Sequence, residues 1–264
     1  SLSLAEMERF GKQTAEGTQL LEWMLRGGYP ELHAKGLDAE RFYSDYVATY
    51  LERDVRQIVQ VKNLRDFDRF LRLVAVRTAQ MLSLHSLASD VGVSPTTIKS
   101  WLSVLEASHI VYMLEPYYQN LGKRLVKTPK LYFLDTGLAC FLTGLRTVED
   151  IERSALLGPL YETLVLGQMV RWYANKGKQP RIYFYRDHAG LEIDFVIPIG
   201  DKLKLYECKW AERPPEVKGF RELTALVGTR KVISKSIISP VRGMRKTGTG
   251  VVVEDCVDLA TLGS

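Results

Sequence analysis

The sequence predicts a multi-domain α+β protein. Three observations predict it: helical apolar spacing through the first third, a helix-turn-helix pattern with two strand-like runs at the centre, and an alternating β-hairpin flanked by helices toward the end. The 264 residues are enough for about two cores, and 46% hydrophobic with 25% charged residues is ordinary globular composition. Three divisions are expected: a helical segment over 1–62, a winged helix domain over 63–150 and an α/β domain over 151–264.

In the first division, Ser3-Leu4-Ala5-Glu6 supplies an N-cap and an early acid, Thr18 to Leu25 spaces as a second helix, and Gly27-Gly28-Tyr29-Pro30 breaks the chain. Asp38 then caps a long amphipathic run in which Phe42, Tyr46, Thr49, Tyr50, Arg53 and Asp54 recur at helical spacing, with the tyrosines expected in the core. In the second division, Phe67 to Met81 is the leading helix. Leu84, Leu87, Ala88, Val91, Gly92, Val93, Ile98 and Trp101 then follow helix-turn-helix spacing, with Ser83 and Ser94 as caps and Pro95 at a first helical position. Ile110 to Tyr117 and Lys130 to Leu134 read as strands joined by a loop carrying Lys123, Arg124 and Lys127, a basic wing suited to a phosphate backbone. The presumed recognition helix offers only Lys99 as a cation, so backbone contact or packing stands beside base reading. The nucleic-acid-binding candidates are Lys99, Lys123, Arg124 and Lys127.

In the third division, a helix follows Gly158-Pro159 with Glu162 near its start, and Arg181 to Arg186 reads as a strand. Leu191 to Ile197 alternates so that Glu192 and Asp194 share one face and Ile193, Phe195 and Ile197 the other. Pro198-Ile199-Gly200-Asp201 supplies the turn, and Lys202 to Trp210 returns with Leu203, Leu205, Glu207 and Lys209 on one face. A helix from about Pro215 to Leu226 and strands near Lys231 to Ile233 and Val251 to Val253 complete the order.

Carboxylates converging at the end of such a hairpin can hold Mg²⁺ through oxygen, and the metal can activate water. A lysine beside them can stabilise a phosphate's developing charge. Asp194, Glu207 and Lys209 are the catalytic candidates. The same spacing also suits the solvated tip of an edge hairpin.

Charge supports a phosphate-bearing partner: residues 1–62 carry 8 basic and 10 acidic side chains, 63–150 carry 10 and 8, and 151–264 carry 18 and 13. Cys140, Cys208 and Cys256 form no disulfide framework or zinc pattern, and His33, His85, His109 and His188 make no metal-spaced pair. No Gly-x-Ser-x-Gly elbow is present, and no apolar run reaches the roughly 18 to 20 residues of a bilayer span. The expected location is the cytoplasm, with no membrane partner.

The α-β-β-β-α-β order, with Glu162, Asp194, Glu207 and Lys209 in those slots, resembles the PD-(D/E)XK nuclease superfamily. The resemblance implies a metal site of Glu162, Asp194 and Glu207. It departs at the superfamily's proline, where Ile193 stands before Asp194. Over nearly the whole chain, Leu2 to Glu6, Gly27-Gly28-Tyr29-Pro30-Glu31, Tyr46 to Tyr50 with Glu52-Arg53-Asp54, Leu131 to Leu138, and Glu-Ile-Asp with Glu-Cys-Lys are similar to the C-terminal half of prokaryotic AAA-type ATPases whose tail is a domain of unknown function. The similarity implies a lid-like helical segment, a winged helix, a nuclease-like tail, and a P-loop core elsewhere in the intact protein. No Gly-x-x-x-x-Gly-Lys-Ser/Thr occurs: Gly11-Lys12 has Glu6 where the first glycine belongs, and Arg124 follows Gly122-Lys123. ATP hydrolysis is therefore not expected of this stretch, which reads as a piece of a longer ATPase with ATP bound only in the core. Arg53 would either serve a neighbouring nucleotide site or pair with Glu52 or Asp54. DNA and the protein's own ATPase core are the expected partners. The two functions carried forward are a nucleic-acid-associated module with a metal-dependent nuclease-like site and a non-catalytic protein-interaction scaffold.

Overall fold

The computed structural model describes residues 1–9, 18–51, 64–117, 126–257, 259 and 262. Helix α1 (Leu4–Arg9) begins with reciprocal capping: Glu6 N–H donates to Ser3 Oγ at 3.2 Å and Ser3 N–H donates to Glu6 Oε2 at 2.8 Å. Helix α2 (Thr18–Arg26) buries Leu20, Leu21 and Met24 and stops at Gly27, whose φ of +73° suits glycine. The break expected at Gly27 to Pro30 is real but short, because Pro30 opens a helix, α3 (Pro30–Ala34). Helix α4 (Ala39–Asp45) is capped by Asp38, which accepts from Arg41 N–H at 2.8 Å.

Two expectations for this run are corrected. Its α-helical spacing gives way to a π-helix at Tyr46–Leu51, beside the Tyr29, Phe42 and Tyr46 rings, with Tyr29 and Tyr46 centroids 5.0 Å apart. The ring deepest in the core is Tyr43, 1% exposed, whereas Phe42 and Tyr46 are half-buried. Glu52, Arg53 and Asp54 lie outside the described residues.

Helix α5 (Leu64–Val76) buries Phe67, Phe70, Leu71 and Val74, followed by β1 (Gln80–Met81). Helix α6 (Leu84–Val91) is capped by Ser83 and ends on Gly92 at φ +89°; α7 (Pro95–Ala107) starts from Ser94, with Pro95 first in the helix. Trp101 locks the three helices' apolar faces, its centroid 5.3 Å from that of Phe67 and 5.1 Å from that of Phe70. Strands β2 (Val111–Leu114) and β3 (Lys130–Phe133) complete a three-stranded sheet of order β1-β3-β2. Three further helices follow: α8 (Thr136–Thr143), α9 (Val148–Arg153) and α10 (Leu157–Asn175).

The remaining elements are β4 (Tyr183–Arg186), β5 (Glu192–Ile199), β6 (Lys202–Cys208), α11 (Lys218–Val227), β7 (Val232–Ser239), β8 (Arg245–Lys246) and β9 (Val252–Asp255). The strands form one mixed sheet of order β4-β5-β6-β7-β9-β8. The β5-β6 hairpin is antiparallel, and α11 carries the chain across so that β7 runs parallel to β6. The hairpin turn is narrower than expected: Ile199 pairs with Lys202 across Gly200-Asp201, and Pro198 sits in β5 opposite Leu203. Pro198 lies beyond Val196, the last β5 residue paired with β4, where a missing N–H removes no ladder bond. Ile193, Val196, Leu203, Leu205, Phe220, Leu223, Ile237 and Val253 make the core between sheet and α11.

The chain divides into two compact units: Ser1–Leu2, Thr18–Met113 and Lys130–Gly167 form the first, and Ser3–Gly17, Leu114–Pro129 and Gln168–Ser264 the second. The linear divisions at 62 and 150 therefore do not coincide with the units. The reason is pairing within the second unit: Tyr117 N–H donates to Phe184 O at 2.8 Å, Phe184 N–H to Glu115 O at 3.1 Å, and Val126 N–H to Arg186 O at 3.2 Å. Glu115, Tyr117 and Val126 thus cover the β4 edge, while residues 118–125 of the expected wing lie outside the described residues. Leu4 N–H bonded to Gln168 at 2.8 Å likewise ties α1 to the second unit.

In the first unit, buried Asp135 organises the motif Leu131 to Leu138. Its carboxylate accepts from Gly28 N–H at 2.8 Å, the Tyr43 hydroxyl at 2.9 Å, and Leu138 N–H at 3.1 Å as the α8 cap. Gly137 is required beside it because a Cβ there would stand 2.3 Å from the Tyr43 hydroxyl. Asp135→Ala strands these donors and is expected to cost about 3 kcal/mol, read as a lowered urea midpoint; a midpoint equal to wild type would remove Asp135 from this role.

Candidate functional site

Strand β5 places Asp194 against the end of β6 through a break in its own regularity. Tyr183 pairs with Val196, yet Tyr185 pairs with Ile193, so β5 carries one extra residue between Ile193 and Val196. This bulge corrects the strict alternation expected from Leu191 to Ile197: Ile193 and Val196 enter the same apolar cluster. The β5-β6 ladder ends at Phe195 and Tyr206, and Asp194 lies next beyond it.

There the side chains take over from the main chain. Cys208 N–H donates to Asp194 Oδ2 at 2.8 Å, and Asp194 N–H leans toward Glu207 Oε2 at 3.4 Å. Lys209 Nζ donates to Glu207 Oε1 at 2.8 Å. Asp194 and Glu207 are each 8% exposed, while the Lys209 side chain is 37% exposed. Burial, then the charge of Asp194, pushes the Glu207 carboxyl up to about 8 against the pull of Lys209. Burial opposes the Lys209 ammonium, but attraction to Glu207 and Asp194 outweighs it and raises its pKa.

Three of the expected residues, Asp194, Glu207 and Lys209, are therefore brought together. Glu192 instead pairs with Arg186 at 2.6 Å. Glu162, in the first unit, accepts from Lys130 Nζ at 3.1 Å and from the Tyr132 hydroxyl. Among the described residues no group of three or more His, Cys, Asp or Glu side chains is gathered to hold a metal ion. Two carboxylates suffice for Mg²⁺ when water and substrate supply the other ligands. Lys99 is exposed on α7 in the first unit, Lys127 is exposed in the second, and Lys123 and Arg124 lie outside the described residues. Sequence reasoning missed the Cys208 amide that orients Asp194. Nothing in the residue types at 193–196 signals a bulge, since no glycine marks it.

Fold and site define a two-unit α+β protein with a buried acid pair and a lysine at one end of a mixed sheet. The chain belongs to the family of the domain of unknown function DUF8612, whose model matches residues 17–149. A second domain of unknown function, DUF4143, matches residues 157–253. The chain is 29% identical over 199 residues to the uncharacterized protein Rv2008c of Mycobacterium tuberculosis and, at the same identity, to the uncharacterized protein Mb2031c of Mycobacterium bovis. The match covers 75% of this chain and spans 44% of the length of each relative. No solved structure matches the chain. Among the described residues no helix is long and apolar enough to cross a membrane.

The raised Glu207 carboxyl sets a pH dependence. Ionised above its ordinary value of 4.5 when unfolded but protonated to about pH 8 when folded, Glu207 makes folding take up a proton, so stability falls as pH rises from about 4.5 to about 8. Urea midpoints measured without divalent cation should decline less between pH 5.5 and 8.5 in Glu207→Gln than in wild type. Identical declines would contradict a buried, protonated Glu207.

Proposed function

We propose that the second unit is a PD-(D/E)XK nuclease-like domain whose Asp194, Glu207 and Lys209 form a divalent-cation site acting on phosphodiesters, within a nucleic-acid-associated module of an AAA-type ATPase. The single observation carrying this reading is the meeting of Asp194 and Glu207 at the end of the hairpin with Lys209 on Glu207. Asp194 and Glu207 are buried side by side, and burial with the charge of Asp194 raises the Glu207 carboxyl, so the pair favours either a proton on Glu207 or a bound cation. The donor set fits Mg²⁺, with carboxylate oxygens from Asp194 and Glu207 as the protein ligands. A bound divalent ion would activate water and polarise the phosphate. The chain's own contributions are positional: the Cys208 amide orients Asp194, and Lys209, held by Glu207, presents positive charge where a phosphoryl oxygen gains negative charge. Glu162, implied as a third ligand by the superfamily resemblance, is engaged by Lys130 and Tyr132, and the proposal rests on the pair.

The helices α5 to α7 with β1-β3-β2 support a winged-helix reading of the first unit's centre, and exposed Lys99 supports backbone contact there. The scaffold reading is favoured by a different observation: the Lys209 ammonium, 2.8 Å from Glu207, already offsets one negative charge of the acid pair without any metal.

Calorimetric titration with Mn²⁺ separates the two. Wild type is expected to bind and Asp194→Asn to lose binding; no binding by either protein overturns the metal-site reading and leaves the scaffold. With metal bound, Lys209→Met should keep Mn²⁺ binding but lose cleavage of a labelled duplex by about 10²-fold or more.

A further inference from the structure

Strands β6, β7 and β9 run parallel, and the segment between β7 and β9 folds back as a basic hairpin whose strand β8 sets Arg245 level with Val253, Ile237 and Glu207, three strands away from the acid pair. Residues 240–251 carry Arg242, Arg245 and Lys246 and no acid. The base of this hairpin is anchored: Arg242 pairs with Glu8 at 2.7 Å and with Asp255 at 3.5 Å, and Gly243 N–H donates to Asp255 Oδ2 at 3.0 Å. Its tip is closed by Thr247 N–H to Val251 O at 2.8 Å and Gly250 N–H to Thr247 O at 3.0 Å.

The hairpin is tied to the strand end that carries Lys209. Lys209 N–H donates to Ile238 O at 3.0 Å, Ser239 Oγ donates to Ala211 O at 2.8 Å, and the Arg245 guanidinium donates to the Glu212 carbonyl. Arg245 and Lys246 are exposed and, among the described residues, pair with no carboxylate; Met244 between them and the anchor is 62% exposed. Cations without counter-charges on an anchored ribbon, with an exposed thioether and the small residues Thr247, Gly248 and Thr249, suit a polyanion that needs close backbone approach. From β6 to β8 the sheet steps across three strand spacings, about 14 Å at ~4.8 Å each, or about four nucleotides at ~3.4 Å per nucleotide.

We propose that the 242–250 hairpin is a phosphate-backbone clamp, in which Arg245 and Lys246 hold the nucleic-acid strand running into the Asp194–Glu207–Lys209 site. This rests on the phosphodiester reading of that site and adds how the substrate is held. A second role available to charges on a short edge strand is blocking sheet-to-sheet association, and the experiment separates it.

Binding of a fluorescein-labelled 20-base-pair duplex and of the corresponding single strand is measured by anisotropy across a salt series. For the duplex, the double variant Arg245→Ala/Lys246→Ala should reduce the slope of log Kobs against log[salt] by about 2, at ~0.9 per lost contact. Its Mn²⁺ binding and melting temperature should match wild type. The charge-keeping variant Arg245→Lys/Lys246→Arg should keep the wild-type slope. A wild-type slope in the double variant, with or without aggregation, overturns the clamp while leaving the metal site standing. Absence of salt-dependent affinity for either probe in wild type, with Mn²⁺ bound, overturns the clamp together with the nucleic-acid reading.

Discussion

The second unit depends on how one strand pair ends. Regular antiparallel pairing between β5 and β6 stops at Phe195 and Tyr206, and the next amide, that of Cys208, is met by a side chain, Asp194 Oδ2. A backbone N–H near the sheet's interior needs an acceptor, and here a carboxylate serves. That substitution holds Asp194 within reach of Glu207, and two acids so close and so buried are stable only with compensating charge. Lys209 and the raised Glu207 carboxyl contribute to it. The site is thus a consequence of main-chain accounting at a bulge, and its electrostatics follow from burial.

The rest of the second unit protects that arrangement by closing the sheet's margins. On one side, Glu115 and Tyr117 exchange hydrogen bonds with Phe184 and so cover β4, which flanks the bulge. On the other, the sheet ends on β8, a strand of only two residues that offers little ladder to a further strand. Both margins are made by segments distant in sequence from the hairpin. The first unit solves an analogous problem with Asp135, whose carboxylate satisfies a loop amide, a phenol and a helix start at once.

Much of the local structure was legible in the sequence because its causes are local. Ser83, Gly92, Ser94 and Pro95 delimit two helices by capping chemistry that operates within a turn, and the Gly200-Asp201 turn joins two strands whose composition already favoured them. Helices α3, α8 and α9 were not read, because their short spans give little periodicity to detect. The π-helix after Asp45 and the burial of Tyr43 in place of Phe42 and Tyr46 also escaped. Both turn on helix phase, which is set by what the helix packs against. The Asp-Thr-Gly motif at 135–137 was visible as a motif, but its partners Gly28 and Tyr43 lie about a hundred residues earlier.

The residue types of the candidate site, two acids and a lysine on paired strands, were determined by the sequence alone, since alternation and turn chemistry suffice to bring β5 and β6 side by side. The partners each acid takes were decided only by tertiary structure: Glu192 turned to Arg186, Glu162 to Lys130 and Tyr132, and Asp194 to the Cys208 amide. The same holds for the assignment of residues 114–117 and 126–129 to the second unit. Capping and pleating act over a few residues and leave their mark in the string. Bulges, edge coverage and the pairing of buried charges depend on the distances and desolvation that packing imposes on residues far apart in the chain.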